Sequence, residues 1–375
     1  MHSKYSHPKR KTKVVFVQLG SPKNPSTKAL RKYLRDFLSD PRVIDINPFL
    51  WKIILNCFVL PFRPQKSAKL YQRIWDGRNF PLITNTENFT KKVEEELERL
   101  DPNQYVEVNH AFLLSAPFVN EVYDNWESDL ENGVGATKLL VIPMFPQYSE
   151  STIASGIDAL AKELSKRVKI PTFEVITNFH RTHAFINNSV LQIENKINDL
   201  DEKSIKLDKI IISFHGMQKR RIVEKKDDYF RHCYETYKLI KNKLSNFDPR
   251  DVIMSFQSRF GSEEWITPYT DDVVHNLINK GSKEIAVYAP SFVVDCLETT
   301  DELGHELVED ALEWGGNIHP IQCLNTNDQW CKDFANYTFI QAEGSAQDKE
   351  DLEYILSDED YQEMPEQKMK STDID

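Results

Sequence analysis

Apolar positions in this chain fall into eight short, near-continuous runs separated by longer stretches of helical period. KVVFVQL (13–19), YVEVNHAFLL (105–114), KLLVIPMF (138–145) and TFEVIT (172–177) occupy the first half. KIIISF (209–214), VIMSFQ (252–257), EIAVYAP (284–290) and IHPIQCL (318–324) occupy the second. Near-continuous apolar runs of this kind predict parallel strands buried on both faces. The segments between them predict crossover helices. STKALRKYLRDFL has Ser26 placed to cap its amino end, ESTIASGIDALAKELSKR follows Ser149, and TPYTDDVVHNLINKG closes on Gly281. Two sets of four strands predict an α/β chain of two similar units. In such sheets ligands gather at the carboxyl ends of the strands.

Composition narrows the class. The chain has 375 residues, a net charge of −11 and 40% apolar residues, enough for two domains with buried cores. The charge is unevenly spread: residues 1–13 carry five bases and no acid, whereas residues 342–375 carry 12 acids against 3 bases. No basic face remains to suit a nucleic acid. No GxGxxG follows a strand and no GxxxxGK[ST] occurs, so dinucleotide and P-loop readings lose their main support. Cys57, Cys233, Cys296, Cys323 and Cys331 are odd in number and lack a CxxC pair, which argues against a disulfide scaffold, a structural zinc site or a four-thiolate cluster and fits a reducing cytoplasm. The sequence predicts no signal peptide. Its longest apolar stretch, FLWKIILNCFVLPF (49–62), is too short to span a bilayer.

Four strand ends carry chemistry. QLGSPKNP (18–25) reads as a turn entering a helix. PMFPQYSEST (143–152) places Tyr148 and three hydroxyl residues at a strand end, where they can cap the next helix or line a pocket. SFHG puts His215 directly at a carboxyl end. There it is either a structural hydrogen bonder or a general base or metal ligand. In DCLETTDELGHELVEDALEW (295–314), Glu298, Glu302 and Glu306 recur every fourth residue, which predicts three carboxylates on one face of an α-helix. Like charges at that spacing oppose helix formation. The row is either a solvated face or a line of hard oxygen ligands for a divalent cation.

These stretches resemble the ferrochelatase family, which inserts ferrous iron into a porphyrin. QLGSPKNPST, LRDFLSDPRVID, ILNCFVLPFRPQKSAKLYQRIW, PMFPQYSEST, SFHG, SFQSRFGSEEWITPYT and DCLETTDEL occur in the family's order between about Val14 and Trp330. The resemblance implies two similar Rossmann-like domains, each a four-stranded parallel sheet flanked by helices, with the active-site cleft between them. It implies a basic extension at 1–12, a first domain at 13–172 with an apolar lip at 48–64, a second domain at 173–341, and a mobile acidic tail at 342–375. By position His215 and Glu298 are similar to the catalytic pair. His215, Glu298, Glu302 and Glu306 are the implied metal contacts, and Leu19, Tyr148, Tyr229, Trp265 and Phe292 the implied substrate contacts. Trp51, Ile54, Leu55 and Phe58 look like a lip that touches the inner membrane surface. The implied partners are porphyrin and ferrous iron, with no tightly bound cofactor and no iron–sulfur cluster, and the implied place is the cytoplasm, peripheral to the membrane.

Some residues depart from the family pattern. Its usual Met-Arg-Tyr-Gly reads here as Phe112, Leu113, Leu114 and Ser115. Gln218 stands for a proline and Arg221 for a tyrosine, and Lys226-Asp227-Asp228-Tyr229 has an apparent extra residue. These changes are expected on the pocket rim. They leave open a second reading, a non-enzymatic porphyrin- or haem-binding paralogue.

Overall fold

A computed structural model describes residues 11–103, 105–131 and 138–369; residues 1–10 of the basic extension lie outside it. The chain forms two compact units. The first holds β1 (Thr12–Gln18), β2 (Val106–Phe112), β3 (Lys138–Pro143) and β4 (Thr172–Val175). The second holds β5 (Lys209–His215), β6 (Val252–Gln257), β7 (Glu284–Tyr288) and β8 (Asn317–Ile321). Each set is a parallel sheet, ordered β2-β1-β3-β4 and β6-β5-β7-β8. The two connectivities are therefore the same.

Burial explains the sequence pattern. β1 is buried at every position; even Lys13 is covered, its ammonium 3.4 Å from Glu107. In the second sheet Ile210, Ile211, Ile212 and Phe214 are fully buried. Helix ends follow local chemistry as the sequence predicts. Ser26 caps the helix Thr27–Leu38 by accepting from the Ala29 N–H, and Gly281 takes a φ of +101° just past Thr270–Asn279.

The units do not divide at one point in the chain. The first comprises the described residues of 1–145, 150–178 and 326–351; the second comprises 146–149, 179–325 and 352–369. The helix Asp328–Glu343, expected in the second domain, thus belongs to the first. Its buried face carries Trp330 and Phe334, which pack on Phe89 of the helix Pro81–Leu100 with ring centroids 5.7 and 5.5 Å away, while Phe334 also lies 5.6 Å from Phe16 of β1. Burying each such ring stabilises by roughly 2–3 kcal/mol.

Two further expectations are corrected. The acidic tail is not a loose appendage: from residue 352 through 369 it belongs to the second unit, bonded to it by Glu353, Tyr354, Tyr361, Glu363 and Gln367. In the apolar lip, Leu55 faces inward, only 3% exposed and packed with Tyr33, Leu34 and Leu38. Trp51 is half-buried there, its indole N–H donating to the Leu38 carbonyl at 2.6 Å. The backbone between Leu55 and Val59 is π-helical, with the Leu60 N–H reaching back five residues to the Leu55 carbonyl. The residues that project outward are Phe49, Leu50, Ile53, Phe58 and Phe62.

Candidate active site

β5 ends on His215, where the chain must turn sharply. Gly216 permits the turn because a Cβ there would stand 2.6 Å from the Gln257 carbonyl oxygen and 3.0 Å from the Trp265 ring. His215 is then held at three atoms. Its N–H donates to Ser291 Oγ (3.1 Å), its carbonyl accepts from the Tyr229 hydroxyl (2.8 Å), and its Nδ1 lies 2.7 Å from the Gly216 carbonyl oxygen. A carbonyl can only accept, so the neutral ring carries its proton on Nδ1 and presents a lone pair on Nε2. Phe292 meets the imidazole edge to face, centroids 6.2 Å apart.

The glutamate row stands on a different helix from the one the sequence predicts. Glu298–Glu306 is π-helical, the Leu307 N–H bonding to the Glu302 carbonyl five residues back, and α-helix resumes at Leu307–Glu313. In this wider winding a four-residue step falls short of a full turn, so the row drifts around the axis. Glu298 and Glu302 are half-buried, whereas Glu306 is exposed.

Glu302 has a built seat. One carboxylate oxygen accepts the Ser258 N–H at 2.7 Å and the other accepts the Ser258 hydroxyl. Ser258 adopts a φ of +64°, a left-handed conformation that costs a non-glycine residue of order 1 kcal/mol and gathers at functional sites. Burial pushes the Glu302 carboxyl above the ordinary carboxylate range, and the charge of Glu298 pushes it further. Ser258 and the nearby His215 pull the other way. His215, Glu298 and Glu302 therefore share one electrostatic neighbourhood. A cavity of about 270 Å3 opens beside Glu302, with Ser258, Arg259, Asp271, Glu306 and Asp310 also in its wall. Arg259 pairs with Asp271 at 3.0 Å and lies over the Tyr269 ring.

The other expected contacts divide. Tyr148 and Phe292 are half-buried in the second unit; Tyr148 donates its N–H to His232 Nδ1 at 3.1 Å. Tyr229 and Trp265 are buried behind the His215 turn, Tyr229 bonded to Ser291 and Trp265 packed on Gly216. They support the histidine more than they offer a wall. Leu19 and the lip residues Trp51, Ile54, Leu55 and Phe58 belong to the first unit.

Two of the departures from the family pattern, Gln218 and Arg221, are paired with each other. Arg221 is not a rim residue: it is 1% exposed, and its Nε donates to Gln218 Oε1 at 3.1 Å. The extra residue is absorbed by Lys226, which takes a φ of +60° while the Asp227 N–H closes onto the Arg221 carbonyl.

Sequence reasoning missed several groups here. Asp310 lies one more four-residue step past Glu306 and could have been counted. Ser258 and Ser291 are visible only in three dimensions. So is a buried trio, His180, His232 and Glu235, whose ligand atoms lie within 4.8 Å of one another. Its chemistry does not suit a cation. Both ring nitrogens of His232 are already engaged, Nδ1 accepting the Tyr148 N–H and Nε2 lying 3.3 Å from the Arg231 guanidinium, and Glu235 accepts from His180, from the Tyr361 hydroxyl (2.7 Å) and from Arg231 (2.9 Å). Burial would raise the Glu235 carboxyl, but these donors hold it well below the usual range. Burial, with the charges of His180 and Arg231, pushes His232 down to about 3.

Comparison with known proteins agrees with the motifs. The family model described as Ferrochelatase matches residues 11–339. A protein named ferrochelatase from Idiomarina loihiensis is 39% identical over 313 residues, 83% of each chain. One from Francisella tularensis is 36% identical over 329 residues, covering 87% of this chain and 94% of that one. Among solved structures, SirB from Bacillus subtilis with Fe3+ aligns over 92% of this chain and 100% of that chain at 13% identity, with a TM-score of 0.48. On the extent of the family match and the coverage of these relatives, the chain belongs to the ferrochelatase family.

Proposed function

We propose that this chain inserts ferrous iron into protoporphyrin IX, releasing two protons and forming protohaem. Family membership carries the reading, and the lone pair that His215 presents at the end of β5 supports it. Metallation replaces two pyrrole N–H protons, so a base must stand beside the ring. His215 Nε2 takes that role, with Glu298 as its partner. Glu302, raised by burial, accepts a proton more readily than an ordinary carboxylate and hands it toward exposed Glu306. The same oxygen row suits a divalent cation on its way in, and imidazole suits iron at the end of the path. At about 270 Å3 the cavity falls below the roughly 300–1,000 Å3 of drug-sized ligand pockets. Its carboxylates, Asp271, Glu302, Glu306 and Asp310, suit a hydrated cation, whereas the apolar faces of a macrocycle need aromatic partners such as Phe292 and Tyr148.

The outward lip residues Phe49, Leu50, Ile53, Phe58 and Phe62, with exposed Lys52, Lys66 and Lys69 nearby, give the chain an interfacial face for the inner side of the cytoplasmic membrane. Among the described residues no helix is long and apolar enough to cross a membrane. Cosedimentation with anionic vesicles, lost on Phe58→Ser, tests this contact; undiminished binding by the variant would refute it.

Turnover is tested by giving purified protein protoporphyrin IX with anaerobic Fe2+, or Zn2+ as surrogate, and following the absorbance of the metallated product. Many turnovers per chain are expected, and Glu298→Gln should lower kcat by about 100-fold. A porphyrin-binding spectrum without turnover would overturn the reading in favour of a carrier.

A further inference from the structure

Residues 340–369 lie beyond the family-model match, which ends at 339. Of these, residues 352–369 belong to the second unit and are fastened to it in three places. Near its start the segment pairs with the chain at 181–183: the His183 N–H donates to the Leu352 carbonyl (2.8 Å), the Tyr354 N–H to the Arg181 carbonyl (3.0 Å), and Arg181 pairs with Glu353 (2.8 Å). Further on it lies along the helix Tyr229–Lys243. There the Tyr234 hydroxyl donates to the Asp360 carbonyl (2.7 Å), the Tyr361 hydroxyl to buried Glu235 (2.7 Å), and Lys238 pairs with Glu363 (2.7 Å). At its end the Gln367 amide bonds both backbone groups of Thr267, accepting from the N–H (3.3 Å) and donating to the carbonyl (3.0 Å).

Two of these anchors fall on the supports of the His215 turn. The helix at the second anchor begins with Tyr229, whose hydroxyl holds the His215 carbonyl. The loop at the third anchor contains Trp265, whose ring fills the space beside Gly216. That loop also runs against the chain just after His215, through the Ile266 N–H to the Met217 carbonyl (2.9 Å) and the Lys219 N–H to the Glu264 carbonyl (2.8 Å). A side-chain amide that takes both the N–H and the C=O of one residue does the work of a strand neighbour, which a purely solubilising acidic tail would have no reason to supply.

We infer that the strap Leu352–Gln367 is a positioning element for the catalytic turn: it holds the helix behind Tyr229 and the loop behind Trp265, and through them the placement of His215. The inference deepens the ferrochelatase reading and rests on it only where turnover is the readout. Its test is the full-length double variant Tyr361→Phe/Gln367→Ala. Hydrogen exchange at backbone amides of 213–221 and 264–268 should quicken about tenfold, with exchange in β1 to β4 unchanged. Because misplacing a catalytic group costs rate more than affinity, kcat should fall by roughly tenfold while the KM for porphyrin stays within about threefold. A chain ended after Asp351 should show both effects more strongly, and a synthetic peptide of residues 352–369 added to it should restore protection and rate together. Unchanged exchange at 213–221 in the double variant would overturn the inference, as would a truncated chain with full kcat. If the wild-type chain shows no turnover, the ferrochelatase reading fails, and the exchange experiment still decides what the strap does.

Discussion

The two units solve the same problem at the end of their second-placed strands and reach opposite results. β1 and β5 hold the same place in sheets of the same order, and each is followed within two residues by a glycine that close neighbours require. At Gly20, with φ +92°, a Cβ would strike Ser115 Oγ; at Gly216 it would strike the Gln257 carbonyl. In the first unit the residues before the glycine are Gln18 and Leu19, and the Gln18 carboxamide turns back to accept the Leu19 N–H at 3.1 Å. In the second unit the residue before the glycine is His215, whose Nδ1 proton is tied to the backbone so that Nε2 is left with its lone pair. Topology therefore sets where a site can be, and in the proposed function the side chain at that place decides which copy serves as the base.

The comparison can be strained in three ways. The largest effect is expected on stability in the first unit, whose core is completed by a helix from far along the chain. Phe334→Ala, at a ring packed on Phe16, Phe89 and Trp330, should cost about 3–5 kcal/mol in urea denaturation. A loss below about 1 kcal/mol would show that this helix is not an integral part of that core. Next, His215→Ala should lower kcat by about 100-fold or more, whereas Leu19→Ala at the matching position should raise KM and leave kcat within about threefold. Equal losses of kcat would erase the distinction between the two strand ends.

The smallest effect is on pH dependence and belongs to the second unit. His232, facing His180, Arg231, Arg181 and Glu235, is held down to about 3 in the folded chain. An unfolded histidine titrates near 6.5, so between pH 6.5 and 3 the unfolded state binds more protons. The stabilisation is complete above pH 6.5 and drains away as the pH falls through that window, by up to about 1.4 kcal/mol per pH unit. Denaturation at pH 7.5, 6 and 5 should show the decline, and His232→Gln, which keeps an acceptor for the Tyr148 N–H, should flatten it.

Much of this was legible in the sequence because local chemistry decides it. Continuous apolar runs mark strands covered on both faces, Ser26 and Gly281 mark helix ends, and SFHG marks a strand that ends on a histidine. What escaped was decided by partners distant in the chain. The apolar face of Asp328–Glu343 is readable, but not that it covers Phe16. The acidic tail reads as solvated because Arg181, Lys238 and Thr267, which receive it, stand about 100 residues or more away. Apolar residues run along the whole lip, so only its winding tells inward Leu55 from outward Phe58. The glutamate row looked α-helical because spacing records residue types, not which carbonyl each N–H selects.

That winding has a consequence for how the acidic segment tolerates change in length. Leu303 and Leu307 seat it against Ile211, Ile285 and Val287 of the second sheet. Deleting one residue from Glu298–Glu306 would let the backbone rewind with α-helical bonds. Each residue turns further in α-helix than in the wider winding, so the rewinding and the lost residue oppose one another, and Leu307 and Ala311 can keep their place on the sheet. A shortened segment would thus be felt first at the carboxylates, because Glu302 would leave its seat on Ser258 while the core beneath stays packed.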